Sequence, residues 1–147
     1  RDVERANANL GAAEEDLKGI LLTVSSDVTT EYLSLRGNQR QLELLRESVT
    51  LQEKTLSIVN TRFETGLAPD LDLQRARASV ETLRARIPLL EERLNNSRNR
   101  LAVLTGEYPG VYKELLNAHQ DIPVYKAEIP NVMPLDVLNT RPEYIKR

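Results

Sequence analysis

Few residues in this sequence stand where they could do chemistry, and their spacing decides what that chemistry would be. His119 is the only histidine in the chain. It sits in a proline-rich run with no nucleophile or orienting acid at a fixed offset, so it reads as a solvated loop residue rather than a base or ligand. Carboxylates are plentiful, but Glu14-Glu15 and Glu91-Glu92 are adjacent in sequence. Neighbours on a helix diverge by about 100°, so neither pair makes an acid–base site. No phosphate-cradling glycine loop, nucleophile elbow or metal-ligand spacing is present. Cysteine is absent, which removes disulfides and thiolate ligands. The sequence predicts no enzyme, no cofactor and no metal site. What remains are polar and apolar residues at turns and on helix faces, suited to contact rather than catalysis.

The elements that position those residues follow from composition. The chain has 147 residues, enough for one ordinary domain, with 29% charged and only 4% aromatic residues. A compact aromatic core is excluded, and the Leu, Ala, Glu, Arg and Gln content suits long helices and coiled coils. Net charge is −2 with both signs interleaved, which excludes a nucleic-acid footprint and a polybasic membrane patch. No unbroken apolar run is long enough to cross a bilayer as a helix. The chain opens within a helical pattern at Arg1-Asp2-Val3-Glu4-Arg5-Ala6, which predicts a segment taken from a longer protein.

Arg1 to Thr65 contains no proline, and Leu21, Val28, Leu35, Leu42, Val49, Leu56 and Phe63 recur at every seventh position. Leu17, Val24, Leu45 and Val59 fill the intermediate position, which Glu31, Asn38 and Gln52 interrupt. A seven-residue apolar repeat keeps one stripe against a partner helix and favours left-handed supercoiling. The pattern predicts a helix over about 2–65, roughly 95 Å long at the usual rise. A turn over about 66–69 follows, with Gly66 as a left-handed helix cap, Pro69 opening the next helix, and Asp70 and Asp72 at its positive end. So short a connection makes the helices antiparallel.

The second helix, over about 70–105, carries Leu73, Val80, Ile87, Leu94 and Leu101 in one series. Ala76, Leu83, Leu90, Ser97 and Leu104 form the other. Pro88 removes the hydrogen bond to the Arg84 carbonyl and predicts a local kink, and Gly106 ends the helix. Residues 1–105 thus read as one hairpin with unequal arms, which leaves the first half of helix one without a partner. Leu44, Leu51 and Ile58 form a further repeat about 200° around helix one from the Leu42 series. Two separated apolar stripes want two neighbours. The hairpin is either one stave of a larger assembly or a self-associating coiled coil closed into a four-helix bundle. Arg40 with Glu43, Glu43 with Arg46, and Glu81 with Arg84 are three residues apart and brace exposed faces.

From Gly106 the periodicity ends and prolines accumulate, at 109, 123, 130, 134 and 142. Residues 106–147 read as an irregular segment folded back across the helices as a collar. Within it, Val111–Ala118 is expected as a short helix, 119–133 as extended and turn-like, Pro134–Leu138 as a helical turn, and Thr140–Glu143 as the opening of a further helix.

Several of these stretches together resemble the TolC-like outer-membrane channel family, in particular its lipoprotein branch that serves resistance-nodulation-division pumps. Arg62-Phe63-Glu64-Thr65-Gly66-Leu67 with Leu71-Asp72-Leu73-Gln74-Arg75-Ala76 resembles its R-F-x-x-G-L…L-D-(V/L)-x-x-A passage. Tyr32-Leu33-Ser34-Leu35-Arg36 is similar to its Y-x-x-L-R, and Ile87-Pro88-Leu89-Leu90-Glu91 to its I-P-x-L-E. Asn99 to Gly106 resembles N-x-L-A-V-L-x-G, and Pro134-Leu135-Asp136-Val137-Leu138 with Arg141-Pro142 resembles the passage into a second repeat.

The resemblance implies an all-α periplasmic hairpin, the first of two repeats in a homotrimeric outer-membrane channel of a Gram-negative efflux system. The membrane barrel, the lipidated cysteine and the second repeat would lie outside these residues. It also implies that the turn docks a periplasmic adaptor (membrane fusion) protein through Arg62, Gly66 and Leu67, and through it engages an inner-membrane pump. The residues alone allow Gly66 to be only a cap and Leu67 a staple inside the hairpin. An acid matching Asp72 pairs with a basic residue of the other repeat at the closed gate in some members, although it could equally be a charge stabilised at a helix start. Ala68 and Pro69 stand where polar residues are common in the family, which implies a stiffer tip. The rival readings are a coiled-coil scaffold with no transport role and the hairpin of an adaptor itself, whose flanking lipoyl-like strands residues 106–147 do not resemble. The unpartnered stripes predict that the isolated chain self-associates.

Overall fold

A proline-free, heptad-patterned run has one low-energy outcome, and the first 64 residues take it. In the computed structural model, which describes residues 1–117 and 120–124, α1 spans Asp2–Glu64 without interruption. Asp2 and Glu4 lie in its first turn and Arg62 in its last, each with the sign that the helix dipole favours. Two further helices follow, α2 over Asp70–Arg84 and α3 over Ile87–Leu104. Among the described residues there is no strand. The fold is an all-α antiparallel hairpin.

Both reversals that end helices use the same device. Gly66 has φ +76°, its N–H bonds the Phe63 carbonyl at 2.9 Å, and the Leu67 N–H bonds the Arg62 carbonyl at 2.7 Å. Gly106 repeats this at φ +77°, with Gly106 N–H on the Val103 carbonyl and Glu107 N–H on the Ala102 carbonyl. These paired bonds satisfy carbonyls that a helix end would otherwise leave open, and they need a residue that tolerates the left-handed region.

The second arm differs from a single kinked helix. It is interrupted at Ala85 and Arg86, so that Pro88 falls in the first turn of α3 rather than inside a helix. Proline has no N–H for the Arg84 carbonyl and its ring crowds that oxygen. The chain answers by tightening, with Arg86 N–H on the Leu83 carbonyl at 3.1 Å, while both residues stay right-handed at ψ −18° and −19°.

The chain divides into two units, one containing Arg1–Thr30 and the other spanning Glu31–Ile122. The buried core lies in the second. Leu35, Leu42 and Val49 of α1 meet a face built from Leu73, Ala76 and Val80 of α2 and Leu90, Leu94, Leu101 and Ala102 of α3. The seven-residue repeat on one arm and the alternating three- and four-residue steps on the other keep these positions on one line. Leu35 is fully buried and Val80 is 1% exposed. Each such burial contributes about 1.5–3 kcal/mol. In Arg1–Thr30 no residue is buried, and Val3, Leu10, Leu17 and Leu21 are all more than half exposed.

The expected short helix over Val111–Ala118 is absent. Residues 109–117 form consecutive turns. Gly110 at φ +95° cannot belong to a right-handed helix, and three of the bonds that follow reach back only three residues: Val111 to Tyr108, Lys113 to Gly110 and Asn117 to Glu114. Gln120–Val124 has no regular structure. Ala118, His119 and the expected features of residues 125–147 lie outside the described residues.

Candidate functional site

The turn between α1 and α2 presents apolar surface without burying it. Leu67 is 71% exposed and Leu71 57% exposed, with Phe63 beside them at 38%. Leu67 therefore does not act as a staple inside the hairpin. Its position follows from the Gly66 cap, which turns the chain outward. A Cβ at Gly66 would meet nothing within 4 Å, so backbone conformation rather than crowding requires glycine there. The Arg62 side chain is exposed, while its carbonyl is held by Leu67 N–H and by the Thr65 hydroxyl at 3.1 Å. Pro69, at φ −72° and ψ 154°, caps α2 from an extended conformation. Asp70 accepts a bond from Gln74 Nε2 at 3.0 Å. Asp72 is half exposed and lies 3.9 Å from Arg75, a loose pair one helical turn away.

The seam residues divide by position. Leu35, Leu42, Val49, Leu73, Val80, Leu90, Leu94 and Leu101 are buried, whereas Val28, Leu56, Leu83, Ile87 and Leu104 are half-buried. Leu21 and Phe63, at the two ends of the α1 series, are exposed. On the far side of α1, Leu44, Leu51 and Ile58 are 46%, 67% and 63% exposed. The hairpin thus satisfies one stripe of α1 and leaves the other uncovered.

Charge pairs join the arms from outside. Arg84 bonds both Glu53 of α1 and Glu81 of its own helix. The Glu53 hydrogen bond first, and the Glu81 charge second, hold the Arg84 guanidinium above its ordinary pKa. Arg46 reaches Glu91 at 2.8 Å across the arms. Arg40 bonds Glu43 within α1, and that bond raises its pKa. All of these are solvent-exposed and screened. Between α1 and α3 lies an open groove of about 600 Å³, lined by Gln39, Leu42, Arg46, Leu94, Arg98 and Asn117 among others. Its walls alternate guanidinium, carboxylate and amide groups. Among the described residues no group of three or more His, Cys, Asp or Glu side chains is placed to hold a metal, and no helix is long and apolar enough to cross a membrane.

One further cluster is polar and buried. Arg36 is 2% exposed and Gln39 8% exposed, both on the seam side of α1. Arg36 Nη1 donates to Gln39 Oε1 at 2.8 Å and Nη2 to Gln120 Oε1 at 3.0 Å, while Gln39 Nε2 donates to the Leu116 carbonyl at 2.7 Å. The Arg36 guanidinium also lies 4.9 Å from the Tyr32 ring centre. The available signal was positional: Gln39 follows the seam residue Leu35 by four and Arg36 adjoins it, so both polar side chains border the buried face.

This geometry has relatives. The model of the family described as outer membrane efflux protein matches residues 1–107. Nodulation protein T of Rhizobium leguminosarum bv. trifolii is 27% identical over 146 residues, covering 99% of this chain and 31% of that protein. The probable efflux pump outer membrane protein SepC of Pseudomonas putida is 34% identical over 95 residues, covering 65% of this chain and 20% of that protein. A solved structure of the outer-membrane channel OprN superposes with a TM-score of 0.88 at 25% identity, over 95% of this chain and 31% of that one. The chain therefore spans about a third or less of the length of these relatives.

Proposed function

Because the chain belongs to the outer membrane efflux protein family, we propose that its hairpin is a stave in the periplasmic duct wall of a trimeric outer-membrane channel serving a tripartite export system. The observation that carries this reading is the second stripe of α1. Leu44, Leu51 and Ile58 are exposed on the side away from a seam that the hairpin already fills. A soluble hairpin gains nothing from such a stripe, whereas a stave in a closed ring needs a neighbour on each side. The exposed apolar residues of Arg1–Thr30 ask for partners in the same way. A passive wall also accounts for a chain whose polar residues form caps and braces rather than a reactive constellation.

The turn is the docking point for a periplasmic adaptor, and through it an inner-membrane pump. Leu67 supplies apolar area at the apex, Gly66 leaves open space beside the backbone, and Arg62 offers an exposed cation. Asp72, held only loosely by Arg75, is the acid that would meet a basic group from another part of the channel at its closed end.

Site-specific photo-crosslinking from Leu67 in the intact protein, in bacterial envelopes, tests the reading, with Glu43 as the mid-helix control. Capture of a periplasmic adaptor from Leu67 but not from Glu43 is the expected result. No capture at Leu67 in envelopes where the transport system is assembled would remove the docking assignment.

A further inference from the structure

We propose that the hairpin turns its uncharged side to the lumen, so that Arg86 and Arg93 stand in the duct as unpaired guanidinium groups and draw anionic solutes into it. This rests on the reading of the hairpin as a stave. It follows from how side chains are distributed around the two arms within Glu31–Ile122.

Counted within one heptad, the two apolar stripes of α1 lie about 200° apart one way round and about 160° apart the other. A helix in the wall of a closed ring has its two neighbours less than a half-turn apart on the inner side and more than a half-turn apart on the outer. The narrower sector of α1 therefore faces inward. From Asn38 to Val59 that sector carries Asn38, Gln41 and Gln52, the hydroxyls of Ser48 and Thr55, and the aliphatic Leu45 and Val59, with no charge among them. Every charged residue of the same stretch, Arg40, Glu43, Arg46, Glu47, Glu53 and Lys54, falls in the wider sector.

The second arm has the same two sides. Arg84 bonds Glu53, and Glu91 is reached by Arg46, so the line of Arg84, Glu91 and Arg98 runs beside the wide sector of α1. The opposite flank carries Asp72, Ser79, Arg86, Arg93 and Arg100 at seven-residue steps. Arg100 identifies that side, because its ion pair at 3.6 Å is with Glu31, seven residues before Asn38. Arg86 and Arg93 are exposed, and among the described residues neither forms an ion pair. They stand about 10 Å apart along the arm. Repeated in a trimer, they set two tiers of guanidinium groups against a neutral wall, and rings of arginine in a pore favour anions.

Thiol labelling of the purified intact protein separates the parts of the proposal. Arg93→Cys is compared with Ser57→Cys, which is exposed in the wide sector of α1, and the unsubstituted protein is the blank. Each is treated with a small maleimide and with one carried on a polymer too bulky to enter the duct. Arg93→Cys is expected to react with the small reagent alone, and Ser57→Cys with both. The reverse pattern, or no reaction at Arg93→Cys with either reagent, would overturn the face assignment and leave the stave reading standing. Reaction of both sites with both reagents would mean that no closed wall exists, and both readings would fall. The charge is read in the Arg93→Cys protein itself. At low salt a small anionic thiol reagent should react about twofold to fourfold faster than a cationic one, each relative to its rate with a free thiol, because Arg86 lies about 10 Å away. Adding Arg86→Gln should remove that preference. Equal relative rates with Arg86 in place would overturn the attraction of anions.

Discussion

Replacing Leu35 and Leu51 by alanine, one at a time, separates the satisfied stripe of α1 from the uncovered one. Leu35 is fully buried against the second arm, so Leu35→Ala loses its whole transfer energy and leaves a cavity. Leucine-to-alanine changes at such sites cost about 3–5 kcal/mol. Leu51 is 67% exposed, so only about a third of its side chain is sheltered within the chain, and Leu51→Ala should cost about 0.7 kcal/mol. The fivefold contrast is well outside the error of urea unfolding of the purified chain, held dilute enough to stay monomeric and followed by circular dichroism, provided the slope is unchanged. In the assembled protein the contrast should shrink. Covering the exposed parts of Leu44, Leu51 and Ile58 would contribute about 3–5 kcal/mol per chain, and Leu51→Ala forfeits a share of it. Equal costs for the two variants in the isolated chain would refute the reasoning, since they would mean that the far stripe is already packed.

Other outcomes follow from single positions. Gly37 lies inside α1 with open space where a Cβ would sit, so Gly37→Ala should stabilise the chain by about 1 kcal/mol, seen as a higher melting midpoint. Gly66 has the same open space but φ +76°, so Gly66→Ala should destabilise by about 1–2 kcal/mol in the same assay. Leu67→Glu is expected to leave the melting midpoint nearly unchanged, because the side chain is largely exposed, while abolishing adaptor capture in co-purification. Lys18 bonds Glu15 at 2.6 Å, and that bond, with the Glu15 charge, raises the lysine pKa in the folded chain. A raised lysine contributes stability that is complete below its unfolded pKa and lost as pH rises through the folded one. The midpoint difference between the parent and Lys18→Met should therefore be present at neutral pH and vanish at the alkaline end of the lysine range.

The fold class was legible because the apolar repeat of α1 and the glycine caps are local signals. The repeat states which side of a helix is buried, and Gly66 and Gly106 state where helices end, without knowledge of distant contacts. Pro88 announced a disturbance, but its form depended on neighbours: Ala85 and Arg86 could tighten and stay right-handed, which divided the arm in two. The expected helix over Val111–Ala118 gave way to turns over the described residues 111–117, where most backbone bonds reach back three residues rather than four, and no local signal in the sequence announces that exchange. Tip residues could be named from a resemblance, yet the exposure of Leu67 required coordinates, since the same leucine could have packed inward. The Arg36 cluster lay furthest from reach. Its contacts join residues 84 and 77 apart in sequence, and the position of Arg36 and Gln39 beside the seam says that they border a buried face but not which distant groups they bind.

The central claim is that the far stripe of α1 faces a neighbouring helix in the assembled channel. A cysteine introduced at Leu51, among 147 residues that have none, and probed with a membrane-impermeant maleimide in the intact protein, against the unsubstituted protein as the blank, tests it most directly. Ser57 is the control, since it lies about 100° from both stripes and is exposed. Leu51→Cys is expected to be protected in the assembled protein and to react once it is denatured, with Ser57→Cys reactive in both. Equal and rapid labelling at both sites in the assembled protein would contradict it, because the stripe would then face water and the hairpin would be no part of a closed wall.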